Sequence, residues 1–231
     1  MSTLTYADYL RIDTLLSLQQ MRTPATADRA VSLAEQLFII THQSCELWVK
    51  QVVADLDAAT HAMTPPHSMD DLELGAEFLA RTAEVLRLLH GQLLVLEKLP
   101  IRHFAEFRPN LDTASGAQSA QFRQLAMLFG SDGNPGRLFE AFTAAAAHQG
   151  LSIEDVCRSG VGAGVLHRIA ELLMEIGNAY WHWKLTHLAL TSMMVGGREG
   201  TNRSSGVDFL ARRVLRPFPE LRQERGLMHE E

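Results

Sequence analysis

The chain has 231 residues, 46% hydrophobic and 21% charged, with a formal net charge of -6. Such a chain can bury a sizeable core, and its composition is that of a folded globular protein rather than a disordered one. It shows no basic face of the kind that binds nucleic acid, no apolar run approaching the roughly 18–20 residues of a membrane span, and no secretory signal in its first residues, MSTLTYADYL.

Taken in order, the periodicity predicts helix almost throughout. Residues 28–63 carry Leu33, Leu37, Ile40, Leu47, Val49, Val52 and Leu56 at helical spacing, and Thr64-Pro65-Pro66 stops that run. A second long helix is expected over 69–98, with Ser68 as N-cap and Asp70 and Asp71 in its first turn. Shorter helices follow at about 103–111, 115–130 and 136–148, and Ser152 with Asp155 opens another. Residues 164–195 give a third long helix, then a glycine- and serine-rich loop runs from Gly196 to Gly206 and a polar, proline-punctuated tail covers 217–231. No strand pattern or hairpin turn interrupts this. The expected fold is all-α, a single domain of long antiparallel helices spanning 1–231. The two cysteines, Cys45 and Cys157, lie far from any CxxC spacing and read as reduced thiols in a cytoplasmic protein.

Several residues could carry chemistry. On a helix, His187 shares a face with Tyr180, Trp183, Thr191 and Met194, a mostly apolar and aromatic wall. A histidine there serves either as a core residue or as the single proximal ligand of a haem iron. His42, Glu46 and Lys50 form a polar stripe that reads as structural. No Glu-x-x-His occurs anywhere, which argues against a di-iron carboxylate bundle. Arg108 offers a fork suited to a carboxylate. The loop 200–206 lacks the Gly-Lys-Ser/Thr of a nucleotide-binding loop. Tyr6 and Tyr9, three apart with Leu10 beside them, share one face of an N-terminal helix.

Four segments carry a resemblance: LTYADYLRID (4–13), EQLFIITHQSCELWVK (35–50), FRPNLDTASGAQSAQFR (107–123) and WKLTHLALTSMMVGGREGTNRSSG (183–206). Together they resemble the tryptophan 2,3-dioxygenase family. The resemblance implies haem b, with dioxygen as co-substrate and an indole such as tryptophan as substrate. It makes His187 the iron ligand, four residues after Trp183 and thirteen before Gly200, and it sets Phe38 and Trp183 beside the haem. Arg108 and Thr201 would hold the amino-acid end of the substrate, with Phe104, Ser115 and Gly116 lining its site. Asn202 and Arg203 replace two glycines of the family, and Arg203 could reach a haem propionate. The first 20 residues, with Tyr6, Tyr9 and Leu10, would close a neighbouring subunit's pocket in a homotetramer.

Two departures stand out. An aromatic of the family is replaced by Ala117, and the family's distal histidine, placed just before LFII, aligns with Leu33. An apolar distal Leu33 would tolerate an N-methyl group on the indole. The implied product is of the N-formylkynurenine type. A 3-hydroxylated or oxindole product of monooxygenation, or a haem sensor or carrier without catalysis, are the alternatives.

Overall fold

The computed structural model describes residues 3–131, 133–198 and 206–227. Among these the chain is helical, without a strand: α1 (Tyr6–Leu10), α2 (Ile12–Leu16), α3 (Arg29–Met63), α4 (Met69–Leu96), α5 (Ile101–Phe107), α6 (Ala120–Phe129), α7 (Arg137–His148), α8 (Ile153–Ser159), α9 (Val165–Val195), α10 (Val207–Ala211) and α11 (Pro219–Leu227). The all-α expectation therefore holds. No described helix is long and apolar enough to cross a membrane.

The architecture rests on α4, which packs along α3 on one side and along α9 on the other. Its sequence explains why. Leu72, Leu79, Leu86 and Leu93 repeat every seven residues, and Gly75, Thr82, Leu89 and Leu96 form a second buried row beside them. Two adjacent rows make an apolar stripe wide enough for two partners. Leu56 and Met63 of α3, and Leu166, Ile169, Leu173 and Ile176 of α9, are fully buried in the same core. At Gly75 an added Cβ would meet the Ala62 Cβ at 3.4 Å, so the α3–α4 crossing is close.

Polar clamps fix the register. Asp55 of α3, 3% exposed, accepts from Arg81 Nε at 2.8 Å and from Gln51 Nε2 at 2.8 Å. Arg87 and Arg168 reach Glu175 and Glu73 across the α4–α9 seam. These last two pairs are largely exposed and add at most about 1 kcal/mol each. The helix starts follow from caps: Asp28 accepts from Ala30 N at 2.8 Å, and Ser68 and Ser152 each form a reciprocal capping box with an aspartate three residues on.

The shorter elements differ from the sequence expectation in instructive ways. The run expected over 103–111 stops being α-helical at Phe107 and continues as a 3-10 turn, Arg108–Leu111, because Pro109 has no N–H to give. The run expected from 115 begins with a separate 3-10 turn, Gly116–Gln118, before Ser119 caps α6. The tail read as irregular contains α11, anchored by the buried Phe218 and Leu221. Phe218 packs so close to α9 that a Cβ at Gly177 would lie 3.2 Å from its ring. Both cysteines are free and buried, and burial pushes the Cys45 thiol up to about 11.

The N-terminal stretch before α3 is held by the amide of Gln43, which bonds Gln19 and the Leu18 carbonyl, and by one buried carboxylate. Glu35, 1% exposed, accepts from Arg22 N at 2.9 Å, from Thr23 N at 2.8 Å and from the Thr23 hydroxyl. Burial alone would raise this carboxyl, but the donors outweigh it and hold it below the ordinary carboxylate value. A depressed carboxylate stabilises the fold above its unfolded-state pKa, and that contribution is lost as pH falls through the folded value. Glu35→Ala is therefore expected to cost about 2 kcal/mol near neutral pH, since it strands two backbone donors. Thermal unfolding of both proteins should show this gap constant above pH 5 or so and shrinking in more acid buffer. A gap that widens towards acid pH would refute the clamp.

Candidate functional site

At one end of the bundle, α3, α5 and the last turn of α9 build a second apolar cluster apart from the main core. It contains Val31, Ala34, Leu99, Phe104 and Phe107, with Phe38, Met194 and Val195 packed against it. Phe38 is its hinge. Its ring lies 6.0 Å from that of Phe104, 5.6 Å from that of Phe107 and 4.0 Å from that of His42. Arg108 follows Phe107 directly and is half-buried. The sequence-predicted Phe38, Phe104 and Arg108 are thus gathered at one place, and His42 joins them.

A second wall comes from α9. Tyr180, Trp183 and His187 lie along one side at intervals of three and four residues, the spacing of neighbours on a helix. Trp183 and His187 stack with parallel ring planes and centroids 5.4 Å apart, and Phe122 of α6 stacks on Trp183 at 5.2 Å. The ladder continues inward through Tyr180 to Phe129, whose ring centroids are 4.4 Å apart. Burial in these surroundings, with the His42 charge adding to it, pushes His187 down to about 4. Desolvation of the ring by its neighbours lowers His42 as well, although the residue as a whole is exposed. Both imidazoles, one on α3 and one on α9, are therefore neutral near pH 7.

Leu33 is not part of this aromatic cluster. Leu33 is nine residues from His42, half a turn round the helix, and its side chain is 52% exposed. The residue of α3 whose charge reaches His187 is His42, read from sequence as part of a structural polar stripe. The missed signal is Phe38-x-x-x-His42: an aromatic and an imidazole at i and i+4 on a face that also carries Ala34 and Cys45. His42 Nδ1 lies 2.7 Å from the Phe38 carbonyl oxygen. A carbonyl only accepts, so Nδ1 carries the proton and Nε2 keeps its lone pair.

The remaining predicted residues are placed as follows. Ser115 caps the Gly116–Gln118 turn, its Oγ accepting from Ala117 N at 3.4 Å and its N–H donating to Gln118 Oε1 at 3.2 Å. Gly116 is exposed, with nothing within 4 Å of an added Cβ. Tyr6, Tyr9 and Leu10 are 76%, 72% and 42% exposed, on a helix ended by Arg11 in a left-handed conformation. Thr201 and Arg203 lie outside the described residues. Lys184, which sequence reasoning passed over, donates to the carbonyls of Arg213 and Leu215, each at 3.0 Å, and tethers the chain beyond α10 to α9. Burial pulls its ammonium down to about 8.

The donor set fits a haem. His187 offers one neutral nitrogen ligand, the two walls are apolar and aromatic, and the buried Trp183 Nε1–H makes no hydrogen bond among the described residues.

Residues 1–139 match the family described as Tryptophan 2,3-dioxygenase. Over 94% of its length the chain is 30% identical to the tryptophan 2,3-dioxygenase of Kineococcus radiotolerans, covering 89% of that protein. It is 32% identical to those of Xanthomonas oryzae pv. oryzae (strain PXO99A) and Xanthomonas campestris pv. campestris (strain B100), covering 86% and 85% of them.

Proposed function

Because the chain belongs to the tryptophan 2,3-dioxygenase family, we propose that it oxygenates the indole ring of tryptophan, or of a close derivative, to an N-formylkynurenine-type product. The observation that carries this reading is a pair of imidazoles each set against an aromatic ring, His42 on Phe38 of α3 and His187 on Trp183 of α9, with removal from water holding both neutral. His187 would hold haem b, with Trp183 and Phe122 backing its ring. When bound, the haem supplies the iron at which dioxygen becomes reactive towards the indole.

The chain's own part is to bind, orient and exclude water. Phe38, backed by the buried Phe104 and Phe107, would give an indole an apolar surface to lie against. His42 Nε2 would accept the hydrogen bond of the indole N–H, its lone pair kept available by the proton on Nδ1. Arg108, fixed by Phe107 at the edge of the same cluster, would pair with the substrate carboxylate through two parallel hydrogen bonds. Ser115, Gly116 and Thr201 would complete the amino-acid end. An imidazole at the distal position would remove the apolar Leu33 as the ground for the monooxygenation alternative.

The exposed Leu4, Tyr6, Tyr9, Leu10, Leu15 and Leu16 of the N-terminal segment support its packing on another copy of the chain in a homo-oligomer.

Two tests follow. Purified protein is expected to show a Soret band, and His187→Ala to lose most of it; unchanged haem content and spectrum in that variant would sink the ligand assignment. The second concerns selectivity. Wild type should favour tryptophan over 1-methyltryptophan, because methylation forfeits a hydrogen bond of about 1 kcal/mol or more. In His42→Ala that preference should fall to within about threefold, below the worth of such a bond. A preference as large in the variant as in wild type would show that His42 does not contact the indole nitrogen.

A further inference from the structure

One turn beyond His42, Glu46 points from α3 at the segment that joins the 3-10 turn to α6. Its Oε2 accepts from Gln121 Nε2 at 2.7 Å and from Ser119 Oγ at 3.2 Å. The same Gln121 amide also donates to the Glu46 backbone carbonyl, at 3.0 Å. Gln121 therefore spends both its protons on one residue of α3. Ser119 is committed twice, since the hydroxyl that donates to Glu46 also accepts from Phe122 N at 3.2 Å and caps α6.

The turn before Ser119 is closed by its own bonds. Gln118 Nε2 donates to Thr113 O at 3.2 Å, and Gln118 Oε1 accepts from Ser115 N. Arg123 Nη1 donates to Ala117 O at 3.1 Å and to Gln118 O at 2.9 Å. Residues 113–118 thus move as one piece, and Glu46 is the charged group that fastens this piece to α3. The adjacent Phe122 stacks on Trp183, so the same short stretch also touches the His187 helix.

We infer that Glu46 is a positioning residue: it sets Ser115 and Gly116 at a fixed distance from His42, so that the amino-acid end and the ring of one substrate are gripped in register. A hydrogen bond to an ionised carboxylate is shorter and stronger than a neutral one, which suits it to holding a turn that has little apolar burial of its own. A displacement of the order of 1 Å in such a support is enough to weaken substrate binding severely. The inference rests on Ser115 and Gly116 serving the amino-acid end of the substrate, as proposed above.

The test uses the haem-loaded enzyme and three readouts: tryptophan and plain indole titrations followed by the absorption spectrum, steady-state kinetics with tryptophan, and thermal unfolding. Glu46→Ala should raise the Kd and KM for tryptophan about tenfold or more, with kcat within about threefold of wild type. Indole has no amino-acid end, so its Kd should change less than about twofold. Glu46→Gln keeps an acceptor oxygen for Gln121 and Ser119, and should bring tryptophan binding back to within about threefold of wild type. Unchanged tryptophan binding in Glu46→Ala would overturn the inference. So would equal losses for tryptophan and indole together with a lowered melting temperature, which would make Glu46 a packing residue. A wild-type enzyme that neither binds nor converts tryptophan would instead overturn the functional reading beneath it.

Discussion

The burial of α4 between α3 and α9 is the constraint on which the site depends. His42 and His187 are 145 residues apart in sequence and sit on helices that both pack against α4. Their relative placement therefore depends on how each helix packs on α4. That packing is close: Leu56, Leu72, Leu79, Leu86, Ile169 and Leu173 are all essentially inaccessible. Each such side chain contributes on the order of 2 kcal/mol relative to exposure, far more than the ion pairs along the edge. Hydrophobic packing sets the spacing, while Asp55 with Arg81 and Gly75 against Ala62 fix the register.

The same packing determines the chemistry of the two imidazoles. A histidine in water is partly protonated near neutral pH. Here burial disfavours the charged form at both positions, so each ring presents a lone pair. The two are nevertheless prepared for different tasks. His42 is tethered through Nδ1 to its own helix, leaving Nε2 oriented. His187 is held by stacking on Trp183 rather than by a hydrogen bond from its ring among the described residues. An iron ligand needs a basic nitrogen in an apolar slot, and a substrate-binding acceptor needs a fixed tautomer. Each histidine has the property that its proposed role requires.

Much of this was legible in the sequence. The starts of α3, α4 and α8 are written in Asp28, Ser68 and Ser152, because short polar side chains cap helices by satisfying backbone donors. Arg108, Phe38, Trp183 and His187 could be nominated from segments that resemble one family. Matching Leu33 to a motif step leaves helical phase out of account, and the structure places Leu33 outside the aromatic cluster around Phe38. Nine residues along α3 turn a side chain to the opposite face. Helix α11 was hidden for another reason: only Phe218 and Leu221 bury at its start, too few for a periodic signal. Glu46, Ser119 and Gln121 look like an ordinary polar surface in sequence, and only their convergence across 73 and 75 residues gives them meaning.

The proposed reaction inserts both atoms of dioxygen into an indole. The most direct measurement is mass spectrometry of the product formed from tryptophan under isotopically labelled dioxygen. A ring-opened product carrying two labelled oxygen atoms is expected. A ring-intact product with a single labelled atom, or no labelled product from haem-loaded enzyme, would contradict it.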